Sequence, residues 1–135
     1  MKVQDVMTAE IVSASSSDSL QAVASKMKSE NIGSLPVVDN GRIRGVVTDR
    51  DIVIRAVAQG QSADATIESA MSSDAVCVAP DCSVAEASRI MADKQLRRLY
   101  VIDADQLVGV VALGDLARET SSDTSGDTLR DISKP

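Results

Sequence analysis

Apolar positions along the chain change their period in a fixed order, and that order occurs twice. Leu20, Val23, Ala24 and Met27 stand at i, i+3, i+4 and i+7, the apolar stripe of a helix, and the SSSDS run before them offers N-cap side chains. SLPVVD follows, stopped by Asn40-Gly41, and then IRGVVT, a pattern that predicts two adjacent strands joined by a hairpin. A short strand-like step is expected at Ile11 to Ser13, and a second helix from Asp49 to about Gln59, stopped by Gly60. The text of that helix, DIVIRAVA, is apolar almost all round and broken only by Arg55. It should therefore bury a second face, against the other copy or another subunit.

The second passage repeats these elements. Ala75 to Val78 is strand-like, and Ser83 to Lys94 is a helix opened by the capping box Ser83-x-x-Glu86. RRLYVID, LVGVVA and a closing helix from Leu113 complete it. Gly45 and Gly109 are 64 residues apart (109 − 45), and the same offset joins Met7 to Met71, Met27 to Met91, Leu35 to Leu99, Val47 to Val111 and Asp51 to Asp115 without a gap. A register held through helix and strand alike marks an internal duplication, with two small copies packing as one globular unit. The expected class is α/β (α+β). Residues 1–60 form the first copy, 61–66 a polar linker ending in Thr66 as cap for a short IESAM helix, and 67–119 the second copy. Residues 120–135 are rich in Ser, Thr and Asp and are expected to be mobile, with a brief turn at Leu129 to Ile132. Met7, Met27, Met71 and Met91 sit at repeated apolar positions and read as core.

Composition narrows the functions. A chain of 135 residues with 44% hydrophobic content can bury a real core. A net charge of −6 and a single aromatic residue, Tyr100, argue against a nucleic-acid partner, which needs clustered cations or stacking platforms. No apolar run reaches transmembrane length and MKVQDVMTAE lacks the apolar centre of a signal peptide, so no membrane partner and a cytoplasmic location are expected. With no His, the usual general base and the Ser-His and Cys-His pairs are missing. Cys77 and Cys82 read as small structural residues, and no metal site or catalytic cofactor is expected. The chain is not expected to be an enzyme.

Two motifs carry the chemistry that remains. Thr48-x-x-Asp51 is a capping-box pattern that starts many helices, and taken alone capping is its simpler reading. In the second copy Ala112 has replaced the threonine yet Asp115 remains, as it would if the aspartate served a ligand. Arg97 and Arg98 at a strand start are either a solvated surface pair or, for Arg97 above all, a bidentate contact for phosphate.

The words VMT, V-S, SLPVVD and GVVTDRDI, in order and twice, closely resemble the CBS domain, over residues 1 to about 119. The tandem resembles a Bateman module and is similar to small bacterial stand-alone pairs with TDRDI in the first copy and VALGDL in the second. Some such chains are labelled as relatives of inosine monophosphate dehydrogenase, whose catalytic barrel has no counterpart in this sequence. Tyr100 departs from the pattern, standing where the first copy has Pro36. The resemblance implies two pseudo-two-fold related β-α-β-β-α motifs packed through their small sheets. It also implies a regulatory module that binds an adenosyl ligand, such as AMP, ADP or ATP, in the cleft between the motifs and transmits this to a disc-shaped homodimer or an unknown protein partner. The alternative is a structural or dimerisation module with empty clefts.

Carried over residue by residue, the ribose diol falls to Asp51 and Asp115, since one ionised carboxylate can accept a hydrogen bond from each hydroxyl. Thr48 would face a phosphate, and Ala112 keeps only its backbone N–H, so the two sites should be unequal. The resemblance groups Thr48 and Asp51 with Ser72, Val76, Cys77, Leu96 and Arg97, and Asp115 with Thr8, Val12, Ser13, Ile32 and Gly33.

Overall fold

Ser19 accepts a hydrogen bond from the backbone N–H of Ala22 at 3.0 Å and so starts helix α1, Leu20–Glu30. Asn31, in the left-handed region at φ 53°, ends it. Leu20, Val23 and Met27 are buried along one stripe while Ala24 is exposed, so the apolar face is narrower than the sequence pattern. Strand β1, Ser34–Asp39, and strand β2, Arg42–Thr48, pair antiparallel through Asn40 (φ 54°) and Gly41 (φ 80°), the two left-handed residues of a tight hairpin turn. Leu35, Val37 and Val47 face the core and are fully buried.

The computed structural model describes residues 1–119, so the reading of residues 120–135 as a mobile tail lies outside the described residues. Two units form, and they do not follow the repeat boundary. The first is Val12–Ala75; the second joins residues 1–11 to the chain from Val76 onward. Backbone hydrogen bonds account for both exchanges. Val46 and Ser72 exchange two at 2.8 Å, and Leu20 N–H donates to Ala65 O at 2.8 Å, tying the segment after the first copy into the first unit. Thr8 and Val110 exchange two at 2.9 and 3.0 Å, and Val3 N–H donates to Cys82 O at 2.8 Å, tying the N-terminal segment into the second.

The glycine of each GVV stretch permits these approaches. A Cβ on Gly45 would run into the carbonyl oxygen of Ser72, and one on Gly109 into the side chain of Met7. The expected IESAM helix is a 3-10 turn, Ile67–Ser69, whose Thr66 makes no side-chain cap.

In the second unit strand β3, Cys77–Val78, lies parallel to β4, Arg98–Asp103, which pairs antiparallel with β5, Gln106–Ala112. Helix α3, Val84–Lys94, packs its buried Val84, Ala87 and Met91 on this sheet's core of Leu99, Val101 and Val111. The expected capping box is half made: Ser83 Oγ accepts from Glu86 N–H at 3.0 Å, but the Glu86 carboxylate takes Arg89 instead. The chain around Ser83 is tied to the N-terminus by Val3 N–H to Cys82 O at 2.8 Å and Val84 N–H to Met1 O at 2.9 Å.

The strand expected at Ile11 to Ser13 is a single rung, the parallel bridge of Ala14 to Val37. The reason lies in the Pro36 and Tyr100 positions. Tyr100 N–H donates to Val76 O at 3.0 Å in the second unit, whereas Pro36 has no N–H to donate at the matching place. Lys26 Nζ takes the Ser13 carbonyl at 2.7 Å, and Asp39 turns the chain away by binding Ser15 and Ser16. Buried Tyr100 is thus a sheet residue that lengthens the ladder.

The second helix of the first copy also differs from expectation. Helix α2 makes one α turn, Asp49–Asp51, and continues as a π-helix, Ile52–Val57, with Ala58 N–H reaching back to Val53 O at 2.8 Å. Its counterpart α4, Leu113–Glu119, is α-helical. In the first unit only Ala56 of the π segment is buried; Val53, Ile54 and Val57 are 58%, 44% and 64% exposed.

Candidate functional site

At the end of β2 the backbone leaves the ladder at Thr48 and turns into α2. Thr48 N–H donates to Asp51 Oδ2, and Asp51 N–H donates to Thr48 Oγ1, both at 3.0 Å, a complete capping box. One oxygen of Asp51 is left over. Its Oδ1 faces the Nε of Arg55 at 3.9 Å, beyond hydrogen-bond range, and the carboxylate is 21% exposed. Arg55 also reaches Met71 O at 3.4 Å, just before Ser72. Next to this corner Gly33 O accepts from Asp49 N–H at 2.9 Å, and Gly33 approaches the Asp49 carboxylate closely. A shallow depression of about 380 Å³ adjoins it, lined by Asp49, Arg50, Val53 and Ile54.

The second unit builds the same corner with one part missing. Ala112 N–H donates to Asp115 Oδ2 at 2.9 Å, the half of the box that needs no hydroxyl. The survival of Asp115 opposite an alanine therefore has a structural cause, and that survival no longer separates a ligand role from a capping one. Leu113 N–H donates to Arg97 O at 2.8 Å, the counterpart of the Asp49 to Gly33 bond.

Each unit thus gathers part of the expected set. The first brings Ser72 and Gly33 to the corner of Thr48 and Asp51, and it also contains Val12, Ser13 and Ile32. The second brings Arg97 to the corner of Asp115, pairs Thr8 with the adjoining Val110, and contains Val76, Cys77 and Leu96. Ile32 and Gly33 share a unit with Asp51, and Leu96 and Arg97 share one with Asp115. All of these residues are partly or fully exposed.

Two cations reach residues of the expected set. Arg55 stands four residues after Asp51, a spacing visible in the text but taken only as a break in an apolar helix. Lys26 reaches Ser13 across thirteen residues and only the fold brings them together. Burial pushes the thiols of Cys77 and Cys82 above their ordinary range, with Glu86 and Asp81 adding to the rise at Cys82, so both stay protonated near neutrality and are weak nucleophiles. Among the described residues no group of three or more His, Cys, Asp or Glu could hold a metal ion, and no helix is long and apolar enough to cross a membrane.

Comparison with known proteins agrees with this architecture. The CBS domain profile matches residues 3–57 and 67–122. The CBS domain-containing protein YhcV of Bacillus subtilis is 42% identical over 132 residues, covering 97% of this chain and 94% of YhcV. Hypoxic response protein 1 of Mycobacterium tuberculosis, solved with two coordinated zinc ions, superposes with TM-score 0.79 at 32% identity, covering 90% of this chain and 100% of that one. The CBS domain pair of protein MJ0100, solved with 5′-methylthioadenosine and S-adenosyl-L-methionine, gives TM-score 0.74 at 28% identity over 88% of this chain and 94% of that one.

Proposed function

The chain belongs to the CBS domain family, and from that premise we propose that it is a cytosolic, non-catalytic regulatory module that binds an adenosyl ligand of the AMP, ADP or ATP class. The ribose diol is held by Asp51 in the tighter site and by Asp115 in the weaker one, with the Thr48 hydroxyl turned to phosphate. The observation that carries the reading is the state of Asp51. Its Oδ2 is spent on the helix cap, while Oδ1 lies outside hydrogen-bond distance of Arg55 on a partly exposed carboxylate. A hydrogen bond to a charged acceptor of this kind contributes roughly 1.5 to 3 kcal/mol. The adenosyl ligands of the MJ0100 pair support the class of ligand.

The module would act by favouring one arrangement of a homodimer, or of a complex with another protein, through its differential affinity for two states. The exposed Val53, Ile54 and Val57 of α2 and its π extension support a homodimer built on that helix. The same exposed face also favours a second reading, a dimerisation module that takes no ligand. A thermal-shift screen with AMP, ADP, ATP and S-adenosylmethionine separates the two readings. A ligand present at about 100 times its dissociation constant adds roughly 2.7 kcal/mol, and a module without a ligand shows no shift with any of them.

A further inference from the structure

Arg55 lies where Asp51 and the segment leading to Ser72 come together, its Nε 3.9 Å from Asp51 Oδ1 and its Nη1 3.4 Å from Met71 O. As a stabilising ion pair it achieves little. The guanidinium is 51% exposed, so solvent screens the pair. As a means of orienting a carboxylate it is well placed. Asp51 is held on one side by Thr48 N–H through Oδ2, and on the other its Oδ1 faces the Arg55 guanidinium from beyond hydrogen-bond distance. The position 64 residues on is Glu119, so the second copy has a carboxylate where the first has a guanidinium. The copies therefore differ in sequence here as well as at Thr48 and Ala112.

We infer that Arg55 is a positioning residue of the nucleotide site, setting the Asp51 carboxylate for the two hydroxyls of a ribose. This inference rests on the proposed adenosyl binding and names the group that makes the first site the stronger one.

The test is titration calorimetry of wild type, Arg55→Glu and Arg55→Lys with AMP, adenosine and 2′,3′-dideoxyadenosine, the last lacking both hydroxyls. In Arg55→Glu the tighter event should weaken about tenfold for AMP and for adenosine alike, the scale of one hydrogen bond to a charged group. Binding of 2′,3′-dideoxyadenosine should stay as it is in wild type, and Arg55→Lys should keep most of the wild-type affinity for all three. Equal weakening of all three ligands would reduce Arg55 to a fold-holding residue and overturn the inference. Weakening for AMP alone would make it a phosphate contact, which also overturns it. Wild type that binds neither AMP nor adenosine would instead sink the adenosyl reading itself, and this inference with it.

Discussion

Thr48 and Asp51 each donate a backbone N–H to the other's side chain at 3.0 Å, whereas the matching pair in the second copy keeps only the bond from Ala112 N–H to Asp115, at 2.9 Å. The missing hydroxyl should be measurable as stability. Thr48→Ala should lower unfolding stability by about 1 kcal/mol, the usual cost of losing an N-cap, and Ala112→Thr should raise it by a similar or smaller amount. Urea unfolding midpoints of the two variants check this. An Ala112→Thr protein no more stable than wild type would mean that the second helix start cannot use the hydroxyl.

The two glycines of the GVV stretches should tolerate alanine unequally. At Gly45 the obstacle is the backbone of Ser72, which is fixed by its two hydrogen bonds to Val46; at Gly109 it is the flexible side chain of Met7. Gly45→Ala should cost about 2 kcal/mol or more, in the range of overpacked cores, and Gly109→Ala clearly less. Thermal unfolding that ranks them in the opposite order would contradict the packing described.

Asp39 predicts an acid dependence. Hydrogen bonds from the Ser16 hydroxyl and backbone, then from Ser15, with the charge of Arg44, hold its pKa below the ordinary carboxylate value. A depressed folded-state pKa stabilises the protein above the unfolded value, near pH 4, and that contribution is lost as pH falls through the folded value. The stability difference between wild type and Asp39→Asn should therefore be constant from about pH 5 upward and shrink below about pH 4. A difference that does not change down to pH 3 would remove Asp39 from the account of the loop at Ser15 and Ser16.

The exposed side chains of the π segment predict association. Val53, Ile54 and Val57 should be covered in a homodimer, and Ile54→Glu should dissociate it to monomer at tens of micromolar protein. Sedimentation equilibrium decides the matter: a wild-type monomer, or a mass that Ile54→Glu leaves unchanged, would count against this face.

Much of the fold was legible because it is local. Ser19 and Ser83 cap their helices through side chains three residues from the N–H they serve, and Asn40-Gly41 carries its own turn geometry. What escaped depends on partners far along the chain. The strand at Ile11 to Ser13 is cut to one rung by an N–H that Pro36 lacks and by Lys26 taking the Ser13 carbonyl. The membership of the two units follows from Ser72 with Val46 and Thr8 with Val110, pairings that no periodicity announces. Of the candidate site, Thr48 and Asp51 could be read from their spacing. That Asp115 takes the Ala112 N–H without a threonine could not, because its partner is a backbone N–H, which no sequence pattern marks.

The most direct test of the adenosyl reading is the titration of AMP into wild type and Asp51→Ala, with melting temperatures measured on both proteins without ligand. Asp51→Ala should abolish or weaken the tighter binding event by roughly tenfold or more, as expected when a ligand loses hydrogen bonds to a charged acceptor. Asp115→Ala should leave that event and remove the weaker one. If Asp51→Ala lowers the melting temperature while AMP binds as tightly as before, Thr48 and Asp51 serve only to start a helix and the adenosyl site does not lie on them.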